Sequence, residues 1–133
     1  MRVTFEIPGK PFAKQRPRFS RKSGQAYTPK ATESYESLVR AKALPLFPKP
    51  LIGPVIVEII AIFEPAASWS KKRRAEAMCR PHTQRPDRDN IEKAILDGLN
   101  RVAFEDDAQV FDGRTTKCWG PVAKTVVTVE GKA

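Results

Sequence analysis

Between residues 87 and 107 the run DRDNIEKAILDGLNRVAFEDD sets Asp87 and Asp89 two apart, follows them with Lys93, and closes on the pair Asp106 and Asp107. Carboxylates held within several ångströms raise one another's pKa and resist common ionisation unless a cation joins them. Oxygen donors of this kind suit magnesium, and a bound divalent ion activates a water and neutralises a reacting phosphate. A lysine in the first turn of a helix opposes the macrodipole, and a phosphate is one reason for it to be there. Each residue also has a plainer use. Asp89 with Glu92 spells a capping box, Asp106 and Asp107 serve as solvated loop acids, and Lys93 pairs with Asp97 at i, i+4 in the poorer order. An EF-hand is set aside, because its loop needs a third liganding position and a glycine where Ile91 and Glu92 stand.

These groups act together only if the chain around them returns on itself. Pro86 favours an extended Arg85, and residues two apart on an extended chain point the same way, which would put Asp87 and Asp89 on one face. Ile91, Ala94, Ile95, Leu99 and Val102 recur at helical spacing, which predicts a helix over about 90–102. Packed on a sheet, that helix would carry Asp106 or Asp107 back towards the first pair.

The rest reads as mixed α/β. Residues 2–7 alternate as a half-buried strand, and the continuous apolar run at 55–63 predicts a central strand covered on both faces. Between them lies a Pro- and Gly-punctuated cationic loop with a turn at Lys22-Ser23-Gly24. A helix capped by Thr28, with Pro29 at its first position, then turns Tyr35, Leu38 and Val39 inward. A short helix over 70–79, started at Ser68 or Ser70, precedes the acidic run, and two strands joined at Gly120-Pro121 end the chain. At 133 residues, with 41% hydrophobic and 29% charged side chains, one domain over 1–133 is expected. Its class is α/β (α+β), a small mixed β-sheet packed by helices. No stretch approaches a membrane span and no leader opens the chain, so a cytoplasmic protein is expected. Cys79, His82 and Cys118 lack a fourth partner, so zinc is not expected.

Charge is divided along the chain. The whole carries +9, yet residues 86–113 hold eight acids against three bases, a local −5. Residues 1–30 hold eight bases against Glu6, among them Lys10, Lys14, Arg16, Arg18, Arg21 and Lys22. Residues 71–85 hold six against Glu76: Lys71, Lys72, Arg73, Arg74 and Arg85 belong to this group, with Arg88 just beyond. Two cationic segments around an acidic centre suit the cleavage of a polyanion, the bases neutralising phosphates and the metal supplying chemistry. Phe12, Phe19 and Tyr27, interleaved with the basic residues, are candidates for stacking on splayed bases near a branch point, although anchoring of the core or the loop is the commoner use of any one of them.

The motifs DRDNIEKAILDGL and FEDDAQV resemble the core signature of the RusA family of Holliday-junction resolvases, small magnesium-dependent endonucleases common in prophages and bacteriophages. The resemblance implies a homodimeric α/β endodeoxyribonuclease that cuts opposed strands of a four-way DNA junction, with a terminal hairpin after the signature. It assigns metal binding to Asp87, Asp89 and Asp107 and catalysis to these with Lys93, and it implies magnesium, with manganese able to substitute. A flap- or fork-selective nuclease would use the same residues, and a DNA-binding protein without catalysis would bind junctions indifferently to magnesium.

Overall fold

A computed structural model describes residues 1–132. Strand β1 (Arg2–Pro8) buries Phe5 and Ile7, as its alternation requires. A small antiparallel hairpin of β2 (Arg18–Phe19) and β3 (Ala26–Tyr27) follows, turning through residues 21–24 with Gly24 at φ 69°. Helix α1 (Lys30–Ala43) starts one residue later than the sequence suggests, with Pro29 in the capping position, and buries Tyr35 and Val39. Pro45 lies in the short 3₁₀ turn Leu44–Leu46 that ends it.

Strand β4 (Val55–Phe63) is central, paired antiparallel to β6 (Lys124–Gly131) and parallel to β5 (Val110–Trp119). The sheet order is β1-β6-β4-β5. Two expectations are corrected here. The final strands form no hairpin with each other, because β4 lies between them and hydrogen-bonds to both. Nor is β4 covered on both faces. Its burial alternates, with Val55, Val57, Ile59, Ala61 and Phe63 inward, while Ile60 on the opposite side stays 43% exposed. A continuous apolar run reads the same whether its second face meets a helix or water.

A parallel pair needs a long crossover, and here it carries the functional run. It contains α2 (Lys71–Ala77), capped by Ser70 accepting from the Arg73 amide at 3.1 Å, and then α3 (Arg88–Leu99). Helix α3 buries Ile91, Ala94, Ile95 and Leu99 and packs on α1. The approach is close at Gly98, where an added Cβ would lie 2.7 Å from the Val39 Cβ. Strand β5 carries a bulge at Phe111, since Val55 pairs with Val110 and Ile56 with Asp112. Just beyond it Gly113 has φ 150°, and a Cβ there would collide with the Val57 carbonyl. Among the described residues, no helix is long and apolar enough to cross a membrane.

Candidate active site

Helix α3 begins at Arg88, two residues earlier than its apolar stripe suggests. Two expectations change with that boundary. Asp89 lies inside the first turn, so it neither caps the helix with Glu92 nor shares an extended face with Asp87. Asp87 occupies the capping position with extended φ −71° and ψ 146°, yet its carboxylate makes no capping hydrogen bond among the described residues. A residue well suited to capping thus keeps its carboxylate free.

On a helix, residues four apart stack along one stripe, so Asp89, Lys93 and Asp97 follow one another down one side of α3, about 6 Å of rise between neighbours. Lys93 is 61% exposed, and its Nζ lies 4.0 Å from Asp97 Oδ1. The other oxygen of Asp97 is bound by Lys14, whose ammonium also donates to Glu36 Oε1 of α1 at 3.2 Å. Burial alone would lower the pKa of Lys14, but its hydrogen bonds to Asp97 and Glu36 and their charges outweigh this, and the net shift is upward. The Lys14 amide donates to the Asn90 carbonyl at 3.0 Å, fixing the basic loop against the start of α3. Lys14 therefore faces two carboxylates, not the outside where a phosphate contact was expected of it.

Asp107 begins the 3₁₀ turn Asp107–Gln109 that leads into β5. Its carboxyl is pushed up by partial burial first, then by a hydrogen bond with Asp106 and the Asp106 charge, with Lys93 working against the rise and Asp97 adding to it. The turn is held by Gln109, a residue without a role in the reading of the sequence. Gln109 Oε1 accepts from the amides of Glu105 at 2.9 Å and Asp106 at 3.2 Å, and its Nε2 donates to the carbonyls of Leu51 at 2.9 Å and Gly53 at 3.0 Å. The DDAQ spacing was the only available signal for it.

The donor set fits a hard divalent cation, because every candidate ligand is a carboxylate oxygen, and the burial and the neighbouring Asp106 carboxyl that raise Asp107 are what such an ion offsets. The convergence expected from the sequence is only partial. Asp107 lies within reach of the charges of Lys93 and Asp97, and among the described residues no three His, Cys, Asp or Glu side chains form a ligating group.

The cations expected at DNA are mostly outward. Lys10, Arg85 and Arg88 are exposed near Asp87, Arg16, Arg18, Arg21 and Lys22 on or beside the β2–β3 hairpin, and Lys71, Lys72 and Arg74 on α2. Arg73 is exposed too, but its guanidinium lies 3.7 Å over the Trp69 ring. Of the aromatic candidates, Phe19 and Tyr27 are exposed, whereas Phe12 stacks on buried Tyr35 at 5.1 Å.

The model of the family described as Endodeoxyribonuclease RusA matches residues 8–130, nearly the whole chain. The chain belongs to the RusA family. It is accordingly an endodeoxyribonuclease, a hydrolase of phosphodiester bonds acting on branched DNA junctions, and RusA nucleases depend on a divalent metal. The chain is also similar to "Uncharacterized protein YqaN" of Bacillus subtilis (strain 168), with 30% identity over 136 residues, covering 96% of this chain and 94% of the relative. The mixed sheet with its helices is the α+β architecture consistent with the RusA fold.

Proposed function

We propose that this endonuclease resolves four-way junctions by paired incision in magnesium, with manganese as a substitute, and that Asp87, Asp89, Asp107 and Lys93 form its active site. The observation that carries the reading is that Lys93, on the stripe of α3 that also bears Asp89, lies close enough to Asp107 for its charge to act on that carboxyl. Asp87, Asp89 and Asp107 would hold the ion, which when bound supplies a water activated near neutral pH and charge neutralisation at the phosphate. Lys93 donates to a non-bridging oxygen of that phosphate, where charge grows as the bond to the leaving oxygen breaks. Lys14 occupies Asp97 and so leaves the Lys93 ammonium available. Lys10, Arg85 and Arg88 bind phosphates next to the cut, while the hairpin and α2 cations take the flanking arms.

Two opposed cuts call for two sites, and a two-fold dimer supplies them. The outer face of the sheet supports this, since Ile60 is exposed there with Ile56, Ile62 and Val126 half-buried around it. Sedimentation equilibrium of wild type and Ile60→Lys should show a dimer and a monomer, and a monomeric wild type would reject the dimer.

The decisive assay incubates labelled four-way, forked, flapped and linear DNA with the protein in magnesium, manganese and calcium. Symmetric nicks in the four-way junction, in magnesium and manganese, are expected. Preferential cutting of forks or flaps would replace the junction assignment with that of a flap or fork nuclease. Asp89→Asn should retain junction affinity and lose cleavage.

A further inference from the structure

The connection between β4 and α3 builds a second cleft beside the site. Its segment 79–82 runs along the C-terminal end of β5: the Cys79 amide donates to the Trp119 carbonyl, the Trp119 amide to the Arg80 carbonyl, and the His82 amide to the Lys117 carbonyl, each at 3.0 Å. This pairing lines up a ladder of rings. His82 stacks on Phe63 with centroids 3.8 Å apart, Trp119 lies 4.4 Å from His82, and Trp69 lies 5.0 Å from Trp119. Arg73 covers Trp69. Burial and the Lys117 charge keep the pKa of His82 below its ordinary value, so it serves as a neutral wall.

The ladder bounds a cleft of about 490 Å³, within the range of small-ligand sites, and Lys10, Arg73 and Arg85 stand on it against Glu64. Both tryptophans remain half-buried. Lys10 and Arg85 also line the adjoining hollow that contains Asp87 and Asn90. The Lys117 ammonium ties the two together, donating to the carbonyls of Gln84 at 2.6 Å and Pro86 at 2.7 Å.

We propose that this cleft binds an unstacked nucleobase of the branched DNA adjacent to the cut phosphate. The inference rests on the reading of Asp87 and its neighbours as the cutting site. Aromatic and guanidinium faces stack on any base, and the three cations hold the phosphates on either side of it. Within an intact duplex both faces of each base are covered by neighbours, whereas a branch point frees some of them, so the cleft selects branched over linear DNA. It does so without reading sequence.

The chain has two tryptophans, and both are in this ladder, so intrinsic fluorescence reports on the cleft directly. Wild type is titrated in EDTA and in calcium with a four-way junction and with a linear duplex of the same sequence. Tryptophan emission is read beside the anisotropy of end-labelled DNA. The junction should quench emission at saturation and the bound duplex should not. Trp69→Ala should weaken junction affinity by about 5- to 150-fold, the equivalent of one lost base stack, with duplex affinity unchanged and Trp69→Phe restoring most of the loss. A saturated junction that leaves emission unchanged overturns the proposal, as does wild-type junction affinity in Trp69→Ala. Cleavage of the same junction in magnesium separates the two readings. Cutting without quenching removes the cleft alone, and quenching without cutting removes the resolvase reading while the cleft stands. Should no junction bind, a single-stranded oligonucleotide takes its place, and unchanged emission with it also overturns the proposal.

Discussion

Because α3 starts at Arg88, Lys93 lies past the first turn in which the helix dipole acts, contrary to the expectation from the sequence, and its 4.0 Å approach to Asp97 is a loose, exposed pairing that contributes little to stability. Lys93→Ala should therefore melt at or slightly above the wild-type temperature, while single-turnover cleavage of a four-way junction slows by about 100- to 1000-fold. Lys93→Arg should recover little, because a planar fork does not reproduce a compact ammonium. Cleavage at the wild-type rate by Lys93→Ala would take the lysine out of the mechanism. His82 gives the opposite kind of test, one of stability alone. Burial, followed by the Lys117 charge, lowers its pKa in the folded chain, while the unfolded chain titrates at the ordinary 6.5. Below that value the unfolded state binds more protons, so stability is full above it and is lost as pH falls towards the folded value. His82→Phe retains the stack on Phe63 and removes the proton. Urea melts at about pH 7.5 and about pH 5.5 should show a smaller loss on acidification in the variant than in wild type.

The position of α3 depends on two contacts between elements. At Gly98 the helix meets Val39 of α1 with no room for a methyl. Gly98→Ala gains helix propensity of about 1 kcal/mol, yet overpacking costs about 1–3 kcal/mol and displaces the neighbouring Asp97, so thermal melts should show a net loss of stability. Gln109→Ala strips the turn before β5 of two acceptor contacts and two donor contacts. It should cost about 1–3 kcal/mol in denaturant melts and reduce cleavage more than junction affinity, because the carboxylates of the turn lose their support. These elements also show what a sequence records. The stripe Ile91, Ala94, Ile95 and Leu99 was legible because burial on one side imposes a period. The candidate carboxylates and lysine stand out by type and spacing. Three features left no such mark: Lys14 on Asp97, Gln109 on Leu51 and Gly53, and Trp69 beside Trp119 join distant positions without periodicity. The order of strands was equally hidden, because pairing of β5 and β6 with each other or with β4 leaves the same alternation in all three.

Over the whole molecule the net +9 is carried outward by the hairpin and α2, and the acids are gathered along α3 and the turn before β5. Arg16 and Arg18 are exposed, whereas Lys14 is tied to Glu36 and Asp97. Replacing Arg16 and Arg18 together by Ala should lower the slope of log affinity against log salt by up to about 2, measured by anisotropy titrations over a range of salt. Adding Lys14→Ala should leave that slope unchanged. An unaltered slope in the double variant would assign the hairpin to solvent.

The bulge at Phe111 has a consequence for behaviour in solution. Strand β5 is an edge, and an open edge with aligned donors and acceptors templates pairing with any other extended chain. Segment 79–82 covers one end of it. At the other end the bulge breaks the ladder, Asp112 Oδ1 accepts the Gly113 amide at 2.8 Å, and exposed Asp112 and Arg114 place charge where a second strand would have to lie. An irregularity in one strand thus works against strand-by-strand growth at the open edge of the sheet.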